Sequence, residues 1–97
     1  MLIKKYPFTI TIQEDIARPY LPITIINPEN QRTLNVFALI DTGADECAFP
    51  ASFAEPLEHN VLIDFMLNLY VPLLGVKNFL NKFILEIDYP NKVLSII

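Results

Sequence analysis

The chain contains few of the residues that metal sites and disulfide-bonded proteins need. Among its 97 residues there is one cysteine, Cys47, and one histidine, His59. A lone cysteine excludes a disulfide within the chain and fits a reducing compartment. These two residues give no spacing typical of metal ligands, so we expect no metal and no cofactor. We interpret Cys47 as a small buried apolar residue rather than a nucleophile, and His59 as a solvated residue beside a turn.

Basic residues and long apolar runs are also scarce. The seven lysines and arginines are dispersed and the formal net charge is -4, so the chain lacks the cationic cluster that nucleic-acid binding requires. The longest charge-free stretch, residues 65–76, is shorter than the roughly 18 residues needed to cross a bilayer. No apolar stretch of signal-peptide length follows Lys4 and Lys5, and we therefore expect a cytoplasmic protein without a membrane span.

Length and composition indicate one small domain over residues 1–97. Hydrophobic residues make up 53% of the chain, although a domain of this size has much surface to cover with polar groups. Part of the apolar surface is therefore expected to meet a partner.

Glycine is also scarce, with only Gly43 and Gly75 in the chain, so both positions are informative. Each follows a short apolar run, where glycine is used for close backbone approach or an unusual backbone conformation. Asp41 stands just before Gly43, after the apolar residues 37–40. A carboxylate at the end of a buried strand loses hydration, and it normally finds a partner or shifts its pKa. Alternatively, the Asp41 side chain caps a turn.

Alternation of apolar and polar residues predicts a mostly β protein. The pattern gives a first strand with Tyr6, Phe8, Ile10 and Ile12 on one side, and a second with Leu21, Ile23 and Ile25. Turn residues at 27–30 precede a strand over 36–40. A later strand over 61–71 is expected to run straight into residues 72–75. Glu86 and Asp88 alternate with apolar residues and are interpreted as the wet side of a further strand.

Two short helices complete the predicted elements. One begins at Pro50 and continues to about Glu55, with Pro56 keeping it short. The other covers residues 78–83, with Asn78 as its cap.

Three blocks stand out in this sequence: Ala-Leu-Ile-Asp-Thr-Gly-Ala-Asp at 38–45, Pro-Leu-Leu-Gly at 72–75 and Phe-Leu-Asn-Lys-Phe at 79–83. Together they resemble the retropepsin-like aspartic peptidases, a family of single-domain retroviral proteases and small bacterial homologues. The first block, residues 38–45, resembles the active-site loop. Residues 72–75 resemble the later hydrophobic-hydrophobic-glycine signature, and residues 79–83 the short helix after it. The resemblance implies a closed β-barrel of the acid protease fold with one or two short helices.

The resemblance also implies a site and a mechanism. Asp41 takes the catalytic position, supported by the rest of its loop and by the second glycine block: Thr42, Gly43, Ala44 and Asp45, then Leu73, Leu74 and Gly75. By resemblance, Thr42 hydrogen-bonds across a dimer axis and Gly43 exposes backbone to the substrate. Asp45 lies near the substrate backbone or in an ion pair, the alternative being an exposed acid in a turn. The expected partners are a second copy of the chain and an extended peptide or unfolded protein.

The sequence departs from the family pattern at two places. The family carries a glycine-containing flap hairpin before the second glycine block, whereas residues 51–71 contain no glycine, and the hairpin is missing near Asn60. The missing hairpin has two alternative explanations: the chain is a naturally degenerate member of the family, or the segment has been deliberately deleted. The family often has an arginine just after the second glycine, where this chain has Val76 and then Lys77. We therefore expect weak or no peptidase activity, and a non-catalytic domain of the same fold, acting in self-association or peptide binding, is the alternative.

Overall fold

The computed structural model describes residues 2–10, 16–57, 65–66, 69, 71–77 and 79–97, with backbone only at 65–66. Its strands are β1 (Ile3–Pro7), β2 (Tyr20–Ile26), β3 (Thr33–Ile40), β4 (Phe49–Pro50), β5 (Phe65–Met66), β6 (Leu73–Leu74), β7 (Leu85–Asp88) and β8 (Val93–Ile96). A 3₁₀ helix at Ala51–Phe53 leads into helix α1 (Ala54–Leu57), and a second 3₁₀ helix covers Leu80–Lys82. The mostly β prediction is confirmed.

The strands form three sheets, in the orders β1-β8-β7, β2-β3-β6 and β4-β5. In the described part of the chain these sheets are linked only by two isolated bridges, Thr9 with Arg18 and Ala48 with Leu73, and not by a continuous ladder. The predicted closed barrel is therefore wrong for the described residues. A barrel needs every strand to be hydrogen-bonded to two neighbours around a closed ring. Strands β4, β5 and β6 are only two residues long, which leaves too little ladder to close such a ring.

The longest ladder is the antiparallel hairpin of β2 and β3, paired from Tyr20 with Leu39 to Ile26 with Thr33. Its alternation places Leu21 and Ala38 in the core, as the sequence pattern predicts for the second strand. β3 begins at Thr33, three residues before the predicted start. The predicted turn at 27–30 is confirmed, and its Asn27 is buried with its side-chain amide donating to the Leu57 carbonyl at 2.9 Å. This bond ties the hairpin turn to the end of α1.

The core draws side chains from both three-stranded sheets and from the second 3₁₀ helix. Its buried members are Leu21, Ala38, Ile40, Leu74, Leu80, Leu94 and Ile96. Full burial of one leucine side chain contributes about 1.5–3 kcal/mol, so this cluster supplies the main cohesion between the sheets. β3 therefore ends inside the core at Ile40, one residue before Asp41.

The first strand differs from its prediction. β1 pairs with β8 as far as Pro7, but Thr9 then pairs with Arg18 instead. Because the pairing partner changes, the alternation is not kept, and Ile10 is exposed while Tyr6 and Phe8 are half-buried. The predicted first strand is therefore too long, because β1 ends at Pro7 and Ile10 is 54% exposed. Ile12 lies outside the described residues.

The predicted strand over 61–71 is also not one element. β5 pairs with β4, whereas β6 pairs with β3, and Val71 lies in a bend before β6. The prediction of an uninterrupted strand into 72–75 is therefore wrong. Both predicted helices are confirmed as short ones, and α1 ends at Leu57, one residue after Pro56. The second covers only Leu80–Lys82 and has Phe79 at its N-cap position, so the prediction of Asn78 as its cap is wrong. Asn78, His59 and the position near Asn60 where the flap was expected lie outside the described residues.

The turn between β7 and β8 is held by Asp88. Its carboxylate accepts the Asn91 backbone N–H at 3.1 Å and the Asn91 side-chain N–H at 2.8 Å. Both bonds lower the pKa of Asp88 below its ordinary value of 3.8, and the bond from the Asn91 side chain has the larger effect. The positive charge of Lys5 acts in the same direction. Asp88 is thus a turn-forming residue, while Glu86 lies exposed on the wet side as predicted.

Replacing Asp88 by asparagine is expected to destabilise the chain in a pH-dependent manner. Since the folded pKa lies below the unfolded one, the carboxylate stabilises the fold above about pH 4, and this contribution is lost as the pH falls through the folded pKa. The melting temperature of Asp88→Asn should be lower than that of the wild type near pH 7, and the gap should close near pH 2. A gap that stays constant across thermal unfolding scans at these pH values would contradict the assignment.

Candidate functional site

The candidate site is the loop from Asp41 to Ala48, which follows β3. The loop begins where the buried end of β3 meets solvent, because Ile40 lies in the core and Asp41 is half-buried. Thr42, Gly43 and Asp45 are exposed, and Ala44 is half-buried. The sequence prediction of a carboxylate directly after a buried strand is confirmed only for the end of β3, where Ala38 and Ile40 are buried, because Phe37 is 43% exposed. The Asp41 carboxylate remains within reach of solvent.

The Asp41 carboxylate is oriented by its own loop. Its Oδ1 accepts the Gly43 N–H at 3.0 Å, and its backbone carbonyl accepts the Ala44 N–H at 3.2 Å. Oδ2 has no hydrogen-bond partner within the described part of the chain. This is the turn geometry that the alternative interpretation of Asp41 requires, and it leaves one carboxylate oxygen available to another group.

Strand β6 connects the second glycine block to this loop. Leu39 and Ile40 of β3 pair in parallel with Leu73 and Leu74, and the Asp41 N–H donates to the Leu74 carbonyl at 3.1 Å. On the other side of β6, Leu73 and Ala48 exchange two backbone hydrogen bonds, of 2.8 and 3.1 Å. β6 therefore lies between the two ends of the loop and closes it.

Gly75 packs directly against the far arm of the loop. A Cβ atom at this position would overlap the Glu46 carbonyl group and would lie 2.9 Å from the Cys47 nitrogen. Close backbone approach, one of the two reasons proposed for the glycines, is therefore confirmed at Gly75. Neither glycine has a positive φ, and a Cβ on Gly43 would meet only the Asp41 Oδ1, at 3.4 Å. Neither proposed reason for a glycine therefore holds at Gly43 within the described residues of this protomer.

Residues after Gly75 continue the contact through main-chain hydrogen bonds. The Val76 N–H donates to the Ala44 carbonyl at 2.9 Å, and the Lys77 N–H donates to the Asp45 carbonyl at 2.7 Å. These two bonds do not depend on side-chain identity. They join the loop to the residues that follow Gly75 and fix the backbone of Ala44 and Asp45.

Cys47 contributes a contact that the sequence pattern does not reveal. It is half-buried and packs against the core, in line with its prediction as a small apolar residue, but its Sγ also accepts the Gly75 N–H at 3.4 Å. Nothing in the sequence around Cys47 signals this bond, since Cys47 and Gly75 are 28 positions apart. The thiol supplies an acceptor for the N–H of a buried residue.

Removing this acceptor is expected to loosen the junction locally. In Cys47→Ala, the Gly75 amide should exchange with solvent about three- to tenfold faster, because a net hydrogen bond contributes about 0.5–1.5 kcal/mol. Cys47→Ser is the matched control, since its hydroxyl restores an acceptor, and its exchange rate should return toward that of the wild type. Hydrogen-exchange NMR measures both. Equal acceleration at Gly75 and at β8 amides would instead indicate global destabilisation and contradict the local role.

The described residues contain neither a metal-ligand cluster nor a membrane-spanning helix. Within them, no group of three histidine, cysteine or acidic side chains could hold a metal ion. Among the same residues, the structure contains no helix long and apolar enough to cross a membrane. Compared with protein-family models, curated proteins and solved structures, the chain gives no significant match.

Proposed function

We propose that the chain is an aspartic endopeptidase-like domain of the retropepsin type. It acts as a homodimer in which each protomer supplies one Asp41, and it hydrolyses peptide bonds in an extended peptide or an unfolded protein. The observation that carries the proposal is the contact between the two sequence blocks of the resemblance. β6 pairs with the end of β3, and Gly75 packs under the loop that begins at Asp41.

The chemistry requires two acids in different protonation states. One takes a proton from the attacking water while the other donates a proton to the scissile carbonyl oxygen or the leaving nitrogen. A single Asp41 cannot do both. A two-fold axis beside the loop brings two Asp41 carboxylates together, where their mutual repulsion favours the state in which the pair shares one proton. The half-buried Asp41, with Oδ2 free of partners in the described residues, and the exposed Thr42 are compatible with such an axis.

An apolar row at one end of the β1-β8-β7 sheet is the proposed dimer surface. Leu2, Ile84 and Ile97 are 64%, 63% and 46% exposed, and Ile84 and Ile97 exchange two backbone hydrogen bonds. β8 itself is paired on both sides within its own protomer, so its edges do not offer a place for a second chain. Covering the row contributes about 25 cal/mol per Å² of apolar area before the costs of association.

A non-catalytic domain with the same fold is the second candidate function. The observation that favours it is the glycine-free sequence of residues 51–71, where the family has its flap. Without a flap, the site excludes water less well and makes fewer hydrogen bonds to the substrate backbone. Positioning of the substrate lowers the activation barrier of a typical enzyme reaction by several kcal/mol, and part of this effect would be lost. In this case the chain binds peptides or associates with itself without cleaving.

The two functions are separated by incubating the purified chain with a denatured protein at about pH 4 to 6. We expect slow cleavage that a transition-state-mimicking inhibitor of aspartic peptidases suppresses, because paired carboxylates share one proton in this range. Sedimentation of the same samples measures association. A chain that stays monomeric at high concentration would overturn the shared-proton mechanism. A dimer that cleaves nothing at any pH would favour the non-catalytic function.

A further inference from the structure

We draw no further inference here: the strongest candidate, the uncharged outer face of the β2–β3 hairpin with its cavity of about 250 Å³ lined in part by Pro22, Thr24 and Phe37, is an unpartnered face, and nothing in the described residues shows what covers it.

Discussion

Asp41→Asn is expected to lower the rate of peptide cleavage at least about 100-fold, because an amide cannot exchange the proton that general acid–base catalysis requires. The substitution is nearly isosteric, and the asparagine oxygen can still accept the Gly43 N–H that now bonds to Asp41 Oδ1. The loop should therefore keep its conformation, and the loss should appear in kcat rather than in the melting temperature. Glu86→Gln, which changes an exposed acid on β7, is the matched control and should cleave like the wild type.

Mixing the two chains tests whether the acids act as a pair. If each site uses one Asp41 from each protomer, a ninefold excess of Asp41→Asn leaves about one wild-type chain in ten paired with another wild-type chain. Activity per wild-type chain should then fall to about one tenth after subunit exchange. Activity that is unchanged by the excess would show that a protomer works alone. Residual cleavage by pure Asp41→Asn at the wild-type rate would reject the catalytic assignment itself.

Gly75→Ala is expected to destabilise the fold by about 3 kcal/mol, at the upper end of what overpacking usually costs. The added methyl group would overlap the Glu46 carbonyl, which is backbone and is held by the neighbouring pairing of Ala48 with Leu73. Neither side can move without breaking the bonds that close the loop. The free energy of unfolding from urea titration measures the effect, and loss of the native Asp41 amide resonance would report the accompanying displacement of the loop.

Gly43→Ala is the matched control for this prediction. Gly43 is exposed and has no positive φ, and the nearest atom to its added Cβ would be a side-chain oxygen at 3.4 Å. Its stability should change by less than about 1 kcal/mol, and in the stabilising direction if the lower entropy of the unfolded chain dominates. Equal losses of stability at the two glycines would contradict the assignment of Gly75 to a backbone contact.

The local sequence pattern was sufficient to predict those strands and turns that pair with the next element along the chain. The strand around Leu21 to Ile25, the turn after it and the strand that ends before Asp41 were all predictable, because β2 and β3 form one hairpin joined by a short turn. The interpretation failed where pairing partners change along the chain. Ile10 lies just after the switch from β8 to Arg18, and period-two alternation carries no information about such a switch.

The amino-acid sequence alone determined that Asp41 follows an apolar strand end and that the chain has two glycines in positions that call for an explanation, because apolar runs and glycines leave their signals within a few residues. Only the tertiary structure decided that Gly75 lies against the backbone of the Asp41–Ala48 loop, that Cys47 accepts a hydrogen bond from the Gly75 amide and that no continuous ladder joins the three sheets of the described residues. Each of these features depends on hydrogen bonds between residues far apart in the chain. Composition and spacing do not encode such pairings, which are selected by the packing of the whole core.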